Sequence, residues 1–241
     1  MVMRDGGAVP DPVAEYSIIL PQQTHSLHVK WVTAGDLERF RTLPADSQGE
    51  ELFPDTDGLL TRERGVALGV RTADCIPVLL YARDIQAAGA VHAGWRGALG
   101  GIPGRAVEML KEAGADPAEI FVRFGPGICV NCFETGEDVA RKFREAGYGD
   151  CVAAAPKEDP LTGETPAPDK PHVDLVKVCE RQLIAAGVPV TNLYRSDLCT
   201  RHTSLTVLAG KEPGTLFPYH SWRREHGTEE RNTTFVLLIP R

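Results

Sequence analysis

Thr72-Ala73-Asp74-Cys75-Ile76-Pro77 is followed, seventeen residues after its cysteine, by Val91-His92-Ala93-Gly94-Trp95-Arg96-Gly97. Each block sets a reactive side chain, a thiol or an imidazole, where an apolar run gives way to small residues. Such residues let a ligand approach the backbone closely. A further imidazole, His25, lies upstream in Gln22-Gln23-Thr24-His25-Ser26. Two histidines and one cysteine suit a catalytic zinc, which takes three protein donors and keeps its fourth tetrahedral position open. Cys75 and His92 are equally the residue types of a nucleophile and its base. Spacing alone leaves both readings open. Both need a thiolate, so a cation or metal must hold the Cys75 thiol below the free value of about 8.5.

Around this set stand residues of suitable type for supporting roles. Asp74, beside Cys75, can orient a ligand or shuttle a proton. Arg71 and Arg96 flank the two blocks, and a planar guanidinium binds phosphate or carboxylate through paired donors. The cluster Phe217-Pro218-Tyr219-His220-Ser221-Trp222-Arg223-Arg224 mixes rings that stack with cations that bind anions. Trp222 and Arg223 are its candidate substrate contacts. Cys129 and Cys132 form a Cys-x-x-Cys, and a structural zinc would need a second pair at similar spacing, which the sequence is read as lacking. They read as a turn lining the cleft, with Cys132 towards the substrate. His28 is read as a surface residue, pointing away from His25 across a strand. The seven histidines include no His-x-His pair, which argues against a multicopper cluster.

These side chains must be carried by a fold, and the apolar pattern suggests which. Short runs at 17–20, 27–32, 65–70, 76–81, 87–92, 120–124, 192–195 and 233–240 read as strands. Helices are expected at 103–113, where Ala106, Met109 and Leu110 share a face, and at 137–146 and 174–186. Residues 36–56 read as loop with one helical turn, and 1–15 as a loose arm. The Pro-, Glu-, Asp- and Thr-rich stretch 153–171 reads as an exposed, mobile loop. Strands outnumber helices without regular βαβ alternation, which predicts an α+β fold in one domain over 1–241.

The chain carries a net charge of −7, which disfavours broad binding to nucleic acid. Neither a signal-peptide core nor an apolar run of about 18 residues occurs, so no membrane association and a cytoplasmic location are expected. The six cysteines are then expected to be reduced.

Taken together, the blocks resemble the YfiH family, also called DUF152 or the laccase-domain family and related to FAMIN. The resemblance covers about residues 18–240. It rests on Gln23-Thr24-His25, Asp57-Gly58, Thr72 to Val78, Val91 to Gly97, Gly125-Pro126-x-Ile128-x-x-x-Cys132-Phe133-Glu134, His172 to Leu175, Asp197 to Thr200 and Ser221 to Arg224. It implies a mixed β-sandwich with flanking helices, shared with the catalytic domain of cytotoxic necrotizing factor. It also implies zinc on His25, Cys75 and His92, with copper the less favoured metal. The implied activities are purine nucleoside phosphorylase, methylthioadenosine phosphorylase and adenosine deaminase. Older copper-dependent polyphenol oxidation and a cytoplasmic peptidoglycan-editing amidase acting on UDP-muramoyl precursors are also assigned in the family.

On that reading Arg71, Arg96 and Arg223 hold phosphate, and Trp222 or Phe133 stacks on the base. The partners are a purine nucleoside and phosphate, or a UDP-muramoyl precursor, and a monomer is favoured. The sequence departs from the family pattern before Ser17, at Gly127 where a Cys is common, and at Glu229-Glu230. Two readings stand beside these: a metal-free Cys75/His92 hydrolase, and a non-enzymatic module whose zinc is closed by Cys129 or Cys132.

Overall fold

The computed structural model describes residues 18–44, 47–209 and 212–238. The expected arm at 1–15 lies outside them. Along the chain come β1 (Ile18–Ile19), β2 (Val29–Val32), α1 (Ala34–Phe40), β3 (Gly58–Thr61), β4 (Ala67–Thr72), β5 (Ile76–Ala82) and β6 (Ala87–Ala93). Then follow α2 (Trp95–Gly100), α3 (Ile102–Glu112), β7 (Ile120–Phe124), α4 (Glu137–Glu145), β8 (Val152–Ala153) and β9 (His172–Val173). The last elements are α5 (Leu175–Ala185), β10 (Leu193–Tyr194), β11 (Leu205–Ala209), β12 (Glu212–Leu216) and β13 (Asn232–Leu237). Among the described residues no helix is long and apolar enough to cross a membrane.

A six-stranded mixed sheet in the order β10-β7-β5-β6-β3-β2 forms the centre, and a three-stranded sheet β1-β4-β13 packs on one of its faces. Side chains alternate across a strand, and β3 shows the result. Leu59 joins Ile19, Val32, Leu68, Val70 and Ala90 between the sheets, whereas Leu60 joins the larger cluster on the opposite face. That second face is covered by apolar residues of α2, α3 and α5, including Ala98, Ala106, Leu110, Val178 and Leu183. Burial on both faces explains why the strands read as continuous apolar runs. The fold is the expected mixed β-sandwich with flanking helices.

Several expectations need correction. Helix α1 starts at Ala34, two residues before the expected loop, and runs for seven residues rather than a single turn, because Thr33 and Asp36 close a reciprocal capping box at its start. A further 3-10 turn covers Glu50–Leu52. The strand β3 and helix α2 were not foreseen, nor was the hairpin β11–β12. The sequence Gly100-Gly101 hid α2: Gly101 adopts φ +86, a left-handed conformation that costs glycine little, and separates α2 from α3.

Gly89 has a packing reason as well. A Cβ there would come within 2.4 Å of Leu60 Cδ2, so the centre of β6 must stay small. Leu60 fills that space and is fully buried. Leu60→Ala is expected to cost about 2–5 kcal/mol of unfolding free energy, measured by urea titration. A loss below 1 kcal/mol would contradict this packing.

Candidate functional site

Strand register brings the chemical groups together. In the β5–β6 pair Ile76 lies opposite Ala93, so Cys75, just before β5, arrives beside Gly94, just after β6. In the β3–β6 pair Gly58 lies opposite Val91, which sets Asp57 beside His92. The His92 amide donates to the Asp57 carbonyl at 2.7 Å. The His92 ring donates from Nδ1 to the Asp57 carboxylate, also at 2.7 Å. That bond leaves Nε2 as the nitrogen that would ligate a metal once the ring is neutral.

His25 does not sit on a strand. It occupies a loop folded around the same carboxylate, which accepts from the amides of Thr24 (3.1 Å), His25 (3.1 Å) and Ser26 (2.7 Å) and from the Ser26 hydroxyl (2.8 Å). The His25 backbone is left-handed, φ +64, a conformation that its bonds to Asp57 hold in place. His28, as expected, is exposed and bonds to Asp55.

The His25 and His92 rings meet edge to face with centroids 4.8 Å apart. His25 Nε2 lies 3.8 Å from Cys75 Sγ, and one donor atom from each of the three residues falls within 4.8 Å of the others. Gly94 makes this approach possible. A Cβ on it would lie 2.5 Å from the His25 ring and 3.1 Å from Cys75 Sγ.

The charges at the site depend on one another, and a metal would displace the His92 proton. Burial opposes ionisation of Cys75, but the His92 charge and the hydrogen bond from His25 outweigh it and bring the thiol down to about 6. Burial likewise opposes charge on His92, yet the Cys75 thiolate and the Asp57 carboxylate raise it to about 9. Asp57 falls to about 2: bonds from His92 and Ser26 overcome its desolvation. Two imidazoles and a ready thiolate, with His25 exposed to the cleft, fit a three-donor metal site with an open side.

The site opens into a cleft of about 710 Å³. Of the residues expected around it, Arg71, Asp74, Arg96, Trp222, Arg223 and Phe133 all line it. The Arg96 guanidinium lies over the Trp95 ring, and the Arg223 guanidinium lies over Phe133, 5.3 Å from the centroid. Arg71 forms an ion pair with Glu50. Its pKa is lowered by burial and by the charge of Arg231, a second guanidinium in the cleft. Asp74 stands at φ +92 and is almost fully buried. Its carboxylate accepts from Thr200 Oγ1 (2.7 Å) and the Arg223 amide (2.8 Å). This ties two loops together and commits both oxygens.

Cys132 is placed elsewhere, with its thiol 3.2 Å from His202 Nδ1 and outside the cleft lining. The Cys-x-x-Cys turn therefore does not face the cleft, nor do its thiols join the His25–Cys75–His92 group. Sequence reasoning gave no role to Asp57 or Arg231. The available signal for Asp57 was an acidic residue just before the apolar run Gly58-Leu59-Leu60.

The family model described as multi-copper polyphenol oxidoreductase laccase matches residues 12–238. The chain belongs to this family. It is 37% identical over 189 residues to a protein named adenosine deaminase RL5 from an unknown prokaryotic organism, with 78% of this chain and 67% of that protein covered. It is 35% identical over 185 residues to a purine nucleoside phosphorylase of Bacteroides thetaiotaomicron, covering 76% and 63%. The chain thus spans about two thirds of the length of these curated relatives. Its fold matches the crystal structure of the Bacillus licheniformis hypothetical protein YfiH, with TM-score 0.72 and 26% identity, covering 92% of this chain and 74% of that one. The structure of YlmD from Geobacillus stearothermophilus matches with TM-score 0.69 and 27% identity, covering 93% and 74%.

Three outcomes are expected at this site. Asp57→Asn should weaken metal affinity about 10- to 100-fold, measured by competition with a chromophoric chelator. Unchanged affinity would remove Asp57 from that role. In metal-free protein, alkylation of Cys75 should rise with pH through a midpoint near 6, since only the thiolate reacts. His92→Ala removes the neighbouring cation and should move that midpoint up towards about 8.5. A midpoint indifferent to His92 would contradict the thiolate–imidazolium pair.

Proposed function

We propose that this chain is a zinc-dependent purine nucleoside phosphorylase that also deaminates adenosine and cleaves methylthioadenosine. The observation that carries the reading is the convergence of His25, Cys75 and His92 on the same cleft that Arg71, Arg96 and Arg223 line. The names of the relatives, adenosine deaminase and purine nucleoside phosphorylase, support the substrate class.

His25, Cys75 and His92 would hold the metal. One thiolate and two imidazoles match a catalytic zinc set better than a multicopper centre, which needs clustered histidines. When bound, zinc supplies a Lewis acid and makes water nucleophilic at neutral pH.

The chain's own residues do the rest. Asp57 fixes the His92 tautomer and the His25 loop. Arg71 and Arg231 line the cleft close enough for each charge to be felt by the other, and with Arg96 and Arg223 they would supply donors for a tetrahedral phosphate. Trp222, 53% exposed at the rim, and the Phe133 ring offer faces for a purine. Asp74 positions Arg223 through its backbone. In phosphorolysis a phosphate oxygen bonds to the anomeric carbon as the bond to the base nitrogen breaks. The departing base takes the proton that hydrogen phosphate gives up as its oxygen becomes the ester oxygen.

A second reading has its own observation. In metal-free protein Cys75, His92 and Asp57 form a thiolate, imidazolium and carboxylate in series, the order of a thiol hydrolase. A chelator stops the zinc enzyme and spares the hydrolase. Alkylation of metal-free protein stops the hydrolase.

The deciding experiment is chromatography of products from zinc-loaded protein given adenosine, inosine or methylthioadenosine, with and without phosphate, beside His92→Ala. The free base and a pentose 1-phosphate are expected only with phosphate, and neither in the variant. Inosine formed from adenosine without phosphate reports deamination. No turnover of any nucleoside would overturn the assignment and favour amide hydrolysis of a UDP-muramoyl precursor.

A further inference from the structure

A second group of metal-type donors lies outside the cleft lining. Cys129, Cys132, Cys199 and His202 bring three sulfurs and one imidazole nitrogen within 4.8 Å of one another. The sequence spacing is Cys-x-x-Cys, then Cys-x-x-His. The second half was overlooked because it ends in histidine and lies far downstream.

The backbone builds this group before any ion is considered. The Cys132 amide donates to the Cys129 carbonyl at 3.0 Å, closing a turn that brings the first pair to one side. Gly127 pairs with Cys199 as a β-bridge, and the Thr200 amide donates to the Gly127 carbonyl at 3.1 Å. That bridge sets the second pair against the first. The Cys199 amide is capped by Thr203 Oγ1 at 2.8 Å, and the Cys129 amide points at Cys199 Sγ, 3.3 Å away. An amide aimed at sulfur favours the thiolate, the form that ligates a metal.

We propose that Cys129, Cys132, Cys199 and His202 bind a second zinc ion in a closed, four-ligand structural site. Donors about 2.0–2.3 Å from a tetrahedral zinc stand about 3.3–3.8 Å apart. His202 Nδ1 is 3.2 Å from Cys132 Sγ and 3.8 Å from Cys129 Sγ, so small adjustments admit the ion. Three thiolates and a neutral imidazole around a divalent ion leave one net negative charge. The Arg201 guanidinium, 3.5 Å from Cys132 Sγ, faces that charge and is itself held by Asp159 at 2.7 Å. Without metal, three crowded thiols cannot all ionise. Cys129 is pushed up to about 11 and Cys132 also rises, with Cys199 lowered as the acceptor of their bonds.

The ion would act as a brace. It joins the 128–133 turn, which ends in Phe133 of the cleft, to the 199–203 turn, whose Thr200 holds Asp74. Through Arg201 and Asp159 it also anchors the long 154–171 segment. The proposal does not depend on which reaction the cleft performs.

Elemental analysis of full-length protein purified from zinc-supplemented cells tests it. Wild type should hold two zinc ions per chain. His92→Ala and Cys129→Ser should each hold one, and their combination none. His202→Cys keeps a four-donor set and should retain two. Cobalt-loaded His92→Ala, in which the cleft site is lost, should show thiolate-to-cobalt charge transfer that disappears on adding Cys199→Ser. Should the Cys129 or Cys199 variants fail to fold, wild type, His92→Ala and His202→Cys still decide. A single zinc in wild type that vanishes in His92→Ala would overturn the proposal. So would a native intact mass lower by two hydrogens, with Cys129 linked to Cys132.

Discussion

A buried carboxylate organises this molecule. Asp57 is wholly inaccessible, and a lone charge in that position would be costly to desolvate. It is tolerated because donors from two unrelated parts of the chain converge on it: the His92 ring from β6, and the 24–26 loop. The carboxylate sets the tautomer of one histidine and the backbone of another at once. The 24–26 loop has no strand ladder of its own, so His25 reaches the metal-type cluster by folding around this charge. The strength of the arrangement is also its weakness, since losing one partner leaves the others buried and unpaired.

The sheet supplies the second constraint. Cys75 and His92 meet because β5 and β6 are antiparallel neighbours in one register, and a one-residue slip would turn His92 to the other face. The small residues of β6 permit that register at close range. Gly94 does the same where the strand ends, admitting the His25 ring against Cys75.

The metal-type triad was legible in the sequence because its residues carry unusual side chains at apolar-to-small boundaries. The main strands and α3 to α5 were legible from hydrophobic period. Asp57 was not given a role, because an acidic residue before a short strand resembles any turn. Its importance comes from a pairing with a residue thirty-five positions away. The helix α2 was concealed by its flanking glycines. The Cys-x-x-Cys was read as a turn lining the cleft, yet neighbouring side chains in a tight turn face different ways: Phe133 lines the cleft and Cys132 does not. The link from Cys132 to His202 is likewise long-range, set by the Gly127–Cys199 bridge rather than by anything local.

The floor and the walls of the cleft come from different kinds of structure. Cys75 and His92 stand at one end of β5 and β6, two central strands of a sheet buried on both faces, where almost any change is felt throughout the core. Arg96 stands on the first turn of a short helix, and Phe133, Trp222 and Arg223 stand on connecting segments. Reactivity and selectivity are thus separable properties of this scaffold. Descendants or engineered versions can exchange loops to acquire new substrates and keep the same chemical engine, so one fold can diversify widely without reinventing its reactive centre.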